Sequence, residues 1–162
     1  AWARTYNLPY IIVRPTNNYG IGQYTEKLIP KTCKCLKLGK KIPLHNDGTP
    51  IRNWLHAQDT ADAIITIIEA KIENEIYNIA GGFEQANVDT VRKVVREYMG
   101  KKAPNNGEFW MKYIDTDFSR VGQDVRYALN DNKLRNLGWK SKRLFDYEIP
   151  KIVKHYKENF IW

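Results

Sequence analysis

The sequence predicts an α/β fold, a single unit of mixed strands and helices, from three observations. Short β-branched runs alternate along the chain with stretches in which apolar residues recur at helical spacing. Glycine, proline and asparagine separate these segments. The chain has 162 residues, of which 43% are hydrophobic, and this is enough to bury a core.

The first predicted elements are a strand, a polar loop and a helix. Residues 10–13 are typical of a buried strand, and residues 16–20 form a polar, turn-rich loop after it. Residues 27–38 show helical periodicity, with Pro30 in the first turn, where proline is tolerated, and Gly39 as the stop. The apolar side of this helix is expected at Leu28, Ile29, Leu36 and Leu38.

Two more extended segments are predicted in the middle of the chain. They are residues 42–45, closed by a turn at residues 46–48, and residues 53–56. Asp59 or Thr60 is expected to cap the helix that follows, because both side chains can accept a bond from a free backbone N–H. The apolar face of that helix is expected at Ala61, Ile64, Ile65, Ile67 and Ile68.

A strand, a helix and a second strand are predicted next. Residues 75–80 alternate in polarity as a strand does. Asn87 or Asp89 is expected to cap a helix that ends at Gly100, and residues 109–114 are expected to form a strand. The helix should face inward with Val88, Val91, Val94, Val95 and Tyr98.

Two helices are predicted at the end of the chain. Asp131 is expected to cap the shorter one. Pro150 should lie in the first turn of the longer one or kink it. The buried face of the longer helix is expected at Phe145, Ile149, Ile152, Val153, Tyr156 and Phe160.

The net charge of +8 raises the question of an anionic partner. Most of the lysines fall near predicted helix ends and loops, where charges are usually solvated, and no nucleic-acid-binding signature is present. We therefore expect no nucleic-acid partner, while part of the charge could serve a diphosphate ligand. No apolar run approaches the roughly 18 residues that span a bilayer, so we expect a cytoplasmic protein without a membrane partner.

The cysteines and histidines predict no metal site. Cys33 and Cys35 stand two residues apart in a predicted helix, where they point to different sides, so reduced thiols are expected. The three histidines have no metal-ligand spacing. Neither serine has a partner for nucleophilic catalysis, and no glycine-rich phosphate loop is present. The sequence therefore predicts no catalytic residue within this chain.

Polar and cationic side chains do recur at the ends of the predicted extended segments. In open α/β sheets ligands bind at the carboxyl ends of strands, so these are natural binding positions. Arginine can also pair with a diphosphate through two parallel bonds, which favours Arg52 and Arg120 for that role. The whole set is Asn17, Asn18, Lys27, Arg52, Asn87 and Arg120.

Several short segments form a recognisable pattern around these positions. They are TNNYG at 16–20, EKLIP at 26–30, IRNWL at 51–55 with Asp59, YNI at 77–79, NVD at 87–89, RVGQDVRYA at 120–128 and LGW at 137–139. Over nearly the whole chain, the pattern resembles the carboxyl-terminal half of dTDP-glucose 4,6-dehydratases, in the extended short-chain dehydrogenase/reductase superfamily. The resemblance implies the last strands of a Rossmann-like parallel sheet, interleaved with a smaller mixed α/β substrate-binding domain, over residues 1–162.

The resemblance also implies a role for particular side chains. Asn17, Lys27 and Leu28 would contact the sugar nucleotide, and Asn18 the nicotinamide side of NAD. Arg52 and Arg120 would bind the diphosphate of the sugar nucleotide. The nucleotide contacts would be completed by Pro43, Leu44, His45, Asn87 and Gln123.

Four positions depart from the family's usual residues, all near the implied nucleotide. They are His45 for Tyr, Gln123 for His, Val121 for Pro and Ser119 for an acid. Because of these departures, the sequence leaves the choice between thymidine and uridine open.

The resemblance implies that the chemistry is carried by a missing amino-terminal half. The chain begins at Ala1 without an initiator Met and is expected to be a fragment. The full-length protein would bind NAD, form a homodimer, and convert a sugar nucleotide to its 4-keto-6-deoxy form in deoxysugar biosynthesis. Two alternatives remain: half of a nucleotide-sugar epimerase or decarboxylase, and a non-catalytic nucleotide-sugar-binding module.

Overall fold

The computed structural model describes residues 1–104, 106–115 and 121–159, without the side chain of residue 106. The helices are α1 Trp2–Tyr6, α2 Leu28–Lys37, α3 Ala57–Glu69, α4 Asn87–Met99, α5 Asn106–Tyr113, α6 Asn132–Arg135 and α7 Phe145–Glu158. The strands are β1 Ile11–Pro15, β2 Asn17–Tyr19, β3 Ile42–Pro43, β4 Ile51–His56, β5 Glu75–Ile79, β6 Phe83–Ala86, β7 Ile114–Asp115 and β8 Arg126–Tyr127. Short 3-10 turns occur at His45–Gly48 and Gly100–Lys102.

The described strands form three small sheets that confirm the predicted α/β fold. The first is a parallel pair, β1 and β5. The second is centred on β4, which pairs in parallel with β2 and β8 and antiparallel with β6. The third is a parallel pair, β3 and β7. Helices separate the parallel strands in the sequence, as parallel pairing requires.

Two chain segments cross from the first sheet to the second beside the middle of β4. The β1 strand continues through Thr16 into β2, and β5 continues through Gly81 and Gly82 into β6. The side chain of Asn53 is 4% exposed, and its Oδ1 atom accepts one bond from the Thr16 hydroxyl at 3.0 Å and another from the Gly81 N–H at 2.9 Å. Asn53 therefore joins both crossings to β4.

Three helices, α2, α4 and α7, pack against the β4 sheet and against one another. The core between them contains the predicted apolar face of α7 within the described residues and Val94 of α4, while Val91 and Val95 of α4 pack in a second cluster with β3 and α5. The buried thiols of Cys33 and Cys35 lie one in each cluster and are free, as predicted. Burial raises the pKa of both thiols, that of Cys33 to about 12, which keeps them protonated and unreactive.

The N-terminal turn of α3 is tied to the chain before α7 by the buried carboxylate of Asp59. This side chain is 1% exposed, and it accepts bonds from the Arg143 guanidinium at 2.6 Å and from the backbone N–H groups of Lys142 and Arg143. The carbonyl of Asp59 also accepts a bond from the indole of Trp139. The full pairing of the carboxylate offsets the cost of burying its charge.

Some predicted boundaries and caps were wrong. Asp59 and Thr60 do not cap α3, since the helix begins at Ala57 and the His56 side chain caps it. Similarly, α4 begins after Ala86, so Asn87 is its first helical residue and not its cap. Each strand before these helices runs directly into the helix, and this leaves no turn for a side-chain cap at the predicted position.

Two segments adopt a different structure from the predicted one. Residues 109–114 were predicted as a strand but mostly belong to α5, because Phe109 and Tyr113, one helical turn apart, are both buried in the core. Residues 16–20 were predicted as a loop but contain β2, which pairs with β4 through its backbone while its polar side chains serve other contacts.

Burial was also predicted wrongly on two elements, and one of the two predicted alternatives for Pro150, a place in the first turn of α7, was wrong. The side chains of Ile11 and Ile12 in β1 are 37% and 42% exposed. Among the described residues β1 and β5 form a sheet of only two strands, which covers little of either strand. In α3 the predicted residues Ile64 and Ile67 pack toward the core, but Ile65 and Ile68 are exposed, because the buried face is narrower than predicted. Pro150 is the sixth residue of α7 and so lies beyond its first turn. No helix among the described residues is both long and apolar enough to cross a membrane.

The close approach of Gly81 to β4 predicts a large effect of adding a single methyl group. A Cβ atom at this position would lie 1.8 Å from the carbonyl oxygen of Trp54, and this backbone atom cannot rotate away. We expect Gly81→Ala to lower the free energy of unfolding by about 3 kcal/mol or more, measured by chemical denaturation. In Gly20→Ala the nearest atom is a side chain at 3.5 Å, so this control should change stability by less than about 1 kcal/mol.

Candidate functional site

A cavity of about 540 Å³ lies at the junction of β2, β4, α2 and α4. Its walls are formed by the ends of strands, the first residues of two helices and the loop before β8. The lining residues are Thr16, Asn17, Asn18, Gln23, Lys27, Leu28, Arg52, Trp54, Asn87, Gly122, Gln123 and Asp124. The structure thus brings together Asn17, Asn18, Lys27, Leu28, Arg52, Asn87 and Gln123, which the sequence analysis placed at a binding site.

The side chain of Asn18, in β2, is held by two hydrogen bonds within the protein. The Asn18 amide donates to the Thr16 carbonyl at 3.0 Å, and its oxygen accepts from the Thr60 hydroxyl at 2.6 Å. These two bonds fix which end of the amide is oxygen and hold it against the wall. Asn18 is therefore held in one orientation at the cavity surface.

The loop before β8 is fastened to β4 through Arg52. One guanidinium nitrogen of Arg52 donates to the carbonyl of Asp124 at 2.9 Å and to the carbonyl of Ile51 at 2.7 Å. The backbone N–H of Ile51 donates to the carbonyl of Val125 at 2.8 Å. Because guanidinium has five N–H donors, Arg52 retains donors for a ligand while it holds this loop.

The N-termini of α2 and α4 both begin at the cavity. Leu28 is the first residue of α2 and Asn87 the first of α4, and both line the wall. Neither helix has a side-chain cap. The partial positive charge of a helix N-terminus and its free N–H groups favour an anion, and Lys27 and Arg52 add two full positive charges. The carboxylate of Asp124 also lines the cavity and offsets part of this charge, but the two cations and the two helix N-termini outweigh it, so the cavity favours a compact anion.

Trp54 and Gln23 connect the cavity to the core. The Trp54 ring packs against Tyr19 and Phe145, and its buried indole N–H has no hydrogen-bond partner in the part of the chain that the structure describes. Gln23 donates from its side chain to the carbonyl of Asn18 at 2.7 Å, while its own carbonyl accepts from the Tyr156 hydroxyl at 2.9 Å. The last helix therefore supports the β2–α2 loop.

A smaller cavity of about 190 Å³ shares Asn18 and Gln23 with the first, and His56 lies next in sequence to Ala57, which lines it. The Nδ1 atom of His56 accepts a bond from the Gln58 N–H at 3.2 Å, and its ring packs on Tyr19. Burial lowers the pKa of His56. Glu148 and Asp59 act against this effect, while Arg143 and Lys151 add to it.

Three of the predicted site residues that the structure describes do not line the cavity, and a fourth predicted residue is not described. Leu44 is 2% exposed and packs in the core with Ile42 and Val91, because the turn after β3 points it inward. Pro43 and His45, on either side of it, are half-buried outside the lining. Arg120 lies outside the described residues.

Five lining residues were missed by the sequence analysis: Thr16, Gln23, Trp54, Gly122 and Asp124. Thr16 and Trp54 could have been found from the sequence, since each directly adjoins a predicted site residue or strand. The lining by Gln23 depends on the fold of the β2–α2 loop. Among the described residues, no cluster of three or more His, Cys, Asp or Glu side chains could hold a metal ion.

Known proteins are similar to this chain over nearly all of its length. The pattern of the NAD dependent epimerase/dehydratase family matches residues 1–80. The dTDP-glucose 4,6-dehydratase of Haemophilus influenzae is 35% identical over 162 residues, which cover 98% of this chain and 48% of that protein. A dTDP-glucose 4,6-dehydratase of Escherichia coli is 36% identical, over 100% of this chain and 46% of that protein. The chain spans about half the length of these relatives.

Solved structures resemble the fold closely. The dTDP-glucose 4,6-dehydratase of Bacillus anthracis in complex with NAD has a TM-score of 0.81 at 35% identity, over 98% of this chain and 48% of that one. DesIV of Streptomyces venezuelae, a dTDP-glucose 4,6-dehydratase also crystallised with NAD, has a TM-score of 0.85 at 33% identity, over 98% and 47%. A UDP-glucose 4-epimerase of Thermotoga maritima shares the fold at 21% identity, with a TM-score of 0.80 over 99% and 50%.

The buried imidazole of His56 predicts a loss of stability in acid. Because the folded protein lowers the pKa of His56, its fold favours the neutral ring, whose Nδ1 accepts the capping bond. This stabilisation is present above the unfolded pKa of about 6.5 and is lost as the pH falls through the lower folded pKa. The free energy of unfolding, measured from about pH 7.5 to 5, should therefore fall less in His56→Gln than in the unchanged protein.

His155→Gln, in α7, is the matched control. In this variant the free energy of unfolding should fall between about pH 7.5 and 5 by nearly as much as in the unchanged protein. An equal acid sensitivity in the unchanged protein and in His56→Gln would contradict the prediction.

Proposed function

We propose that this chain, which belongs to the NAD dependent epimerase/dehydratase family, is the nucleotide-sugar-binding part of an NAD-dependent 4,6-dehydratase acting on dTDP-glucose or UDP-glucose. Its α/β fold is that of dehydratases and epimerases of the extended short-chain dehydrogenase/reductase type. The full-length protein would form the 4-keto-6-deoxy sugar nucleotide.

The observation that carries this proposal is the cationic character of the cavity. Lys27 and Arg52 line it together with the first residues of α2 and α4, two helix N-termini without side-chain caps. A diphosphate carries two negative charges over a short distance, which two cations and two helix ends attract, and the single carboxylate of the lining, Asp124, does not cancel this attraction. The cavity of about 540 Å³ also has the size of a small-molecule site.

The remaining lining residues support a role in orienting the sugar nucleotide. Asn17 and Asn87 offer side-chain amides to the cavity, and Trp54 contributes an apolar surface with an N–H that has no partner among the described residues. Gln123 lines the cavity from the loop that Arg52 holds. In this proposal Arg120 adds a second guanidinium for the diphosphate.

The residues beside Asn18 fit the nicotinamide end of NAD. Asn18 is held in one orientation and separates the main cavity from the smaller one, which the β2–α2 loop and Ala57 also line. When bound, NAD would accept a hydride from the sugar and return it after loss of water. The contribution of this chain is to bind and orient the substrate, and the proton transfers would be carried out by residues of another part of the protein.

Further parts of the proposal concern the partners of the chain. The exposed side chains of Ile12 and Ile76, opposite one another in β1 and β5, would be covered by an amino-terminal half with further strands of the sheet. The full-length enzyme would work in the cytoplasm as a homodimer.

Product analysis tests the proposed reaction. The full-length protein, incubated with NAD and dTDP-glucose or UDP-glucose, should yield the 4-keto-6-deoxy sugar nucleotide, identified by mass spectrometry as the loss of one water. A 4-epimer, whose mass equals that of the substrate, would indicate the epimerase alternative. Absence of any turnover together with tight ligand binding would indicate a non-catalytic binding module.

Binding to variants tests the diphosphate site. Arg52→Gln should weaken binding of dTDP-glucose about 10- to 100-fold in calorimetry, since a charge-assisted contact is worth about 1.5–3 kcal/mol. Arg52→Lys should recover part of this loss, because the charge remains while the paired geometry of the guanidinium is lost. Arg96→Gln, at the other end of α4, removes the same charge away from the cavity and should bind like the unchanged protein. An unaltered affinity in Arg52→Gln would refute the diphosphate site.

A further inference from the structure

A second, smaller groove of about 260 Å³ runs beside α2 and is lined by lysines. Its lining residues are Thr25, Glu26, Lys31, Lys34, Cys35, Leu38 and Lys40. The three ammonium groups surround Cys35, and each of them acts to lower the pKa of its thiol against the effect of burial. Three positive charges and one carboxylate thus meet within one shallow concavity.

This groove adjoins the candidate site directly. Glu26 lines the groove, and the next residue, Lys27, lines the main cavity. Lys31 and Lys34 lie one turn apart on the same side of α2, and Lys27 is the residue directly before the helix, four positions before Lys31. Along the helix axis Lys31 and Lys34 are spaced by about 6 Å and about 10 Å from Lys27. We call Lys27, Lys31, Lys34 and Lys40 the lysine track.

We propose that the lysine track is an electrostatic collecting surface that guides the anionic sugar nucleotide into the main cavity. The inference rests on the proposed function, because it takes the ligand of that cavity to be a diphosphate. The track increases the rate of association and makes no contact with the bound ligand beyond that of Lys27.

The spacing of the charges supports this role. Charges on a protein surface act over about 8 Å at physiological ionic strength, a distance comparable to the step from one lysine of the track to the next. In this proposal an anion near Lys40 or Lys34 is attracted from one lysine to the next toward Lys27 and Arg52, because the four lysines outnumber the single carboxylate of Glu26. Aligned charges of this kind raise association rates by about 10-fold or more at low salt.

The four lysines of the track contribute to the net charge of +8, so part of this charge would serve to attract the ligand. Lys27 and Lys40 are exposed, while Lys31 and Lys34 are half-buried with their stems against the helix. Glu26 is the acid that lines the groove.

Stopped-flow binding of dTDP-glucose, followed by tryptophan fluorescence, tests the proposal. Trp54 lines the cavity and provides the signal. The variant Lys31→Gln/Lys40→Gln should associate about three- to tenfold more slowly at low ionic strength, with an unchanged dissociation rate. At high salt, about 0.5 M, the association rates of variant and unchanged protein should converge, since the charges are then screened.

The control is Lys101→Gln/Lys102→Gln, which removes the same charge at the far end of α4, about 20 Å along the helix from Asn87. It should associate at nearly the rate of the unchanged protein. Equal slowing in both variants would assign the effect to net charge and overturn the proposal, and so would a change confined to the dissociation rate. If the unchanged protein binds with normal kinetics and Lys31→Gln/Lys40→Gln does the same, the track fails while the proposed function stands. A lack of binding by the unchanged full-length protein would refute both.

Discussion

The hydrogen bonds of Asn53 are the interaction on which the arrangement of the sheets depends. Its side-chain oxygen accepts from Thr16 and from Gly81, at the two points where the chain passes from the β1–β5 pair to the sheet around β4. The backbone N–H of Thr16 also donates to the carbonyl of Ile79. One buried amide thus fixes β2 and β6 on opposite sides of β4, and the position of the cavity follows from it.

The candidate site is a direct product of this arrangement. Asn17 and Asn18 follow the first crossing, and Arg52 and Trp54 flank Asn53 in β4. The side chains of alternate strand residues point to opposite faces, so a strand that turns Asn53 toward the crossings turns Arg52 and Trp54 toward the cavity. The short link from β6 to α4 then brings the N-terminus of α4 to the same place.

The sequence was informative where local pattern and ligand chemistry coincide. Seven of the predicted site residues line one cavity, because polar residues at strand ends and helix starts have few structural alternatives. Prediction failed where packing between distant segments decides the outcome. Phe109 and Tyr113 favour a strand by their side chains but bury better as a helical face, and Leu44 is directed into the core by the turn after it.

The helix caps show the same limit. Asp59 has the chemistry of a cap, yet its carboxylate is taken up by Arg143, more than eighty residues away. Nothing near Asp59 in the sequence indicates that partner. Likewise, the exposure of Ile65 and Ile68 depends on which side of α3 meets the sheet, and the helical period alone suggested a wider apolar face than α3 buries.

The close contact of Gly81 with β4 has a consequence for how this protein can diverge in sequence. Any larger residue at that position would have to displace the Trp54 carbonyl, and with it the side chains of Arg52 and Trp54 that line the cavity. The packing of Gly81 against β4 and the residues that line the cavity therefore cannot change independently of each other in evolution. A related protein with a side chain at the position of Gly81 would also need different residues around the cavity. We therefore expect this position to change only together with the residues that line the cavity.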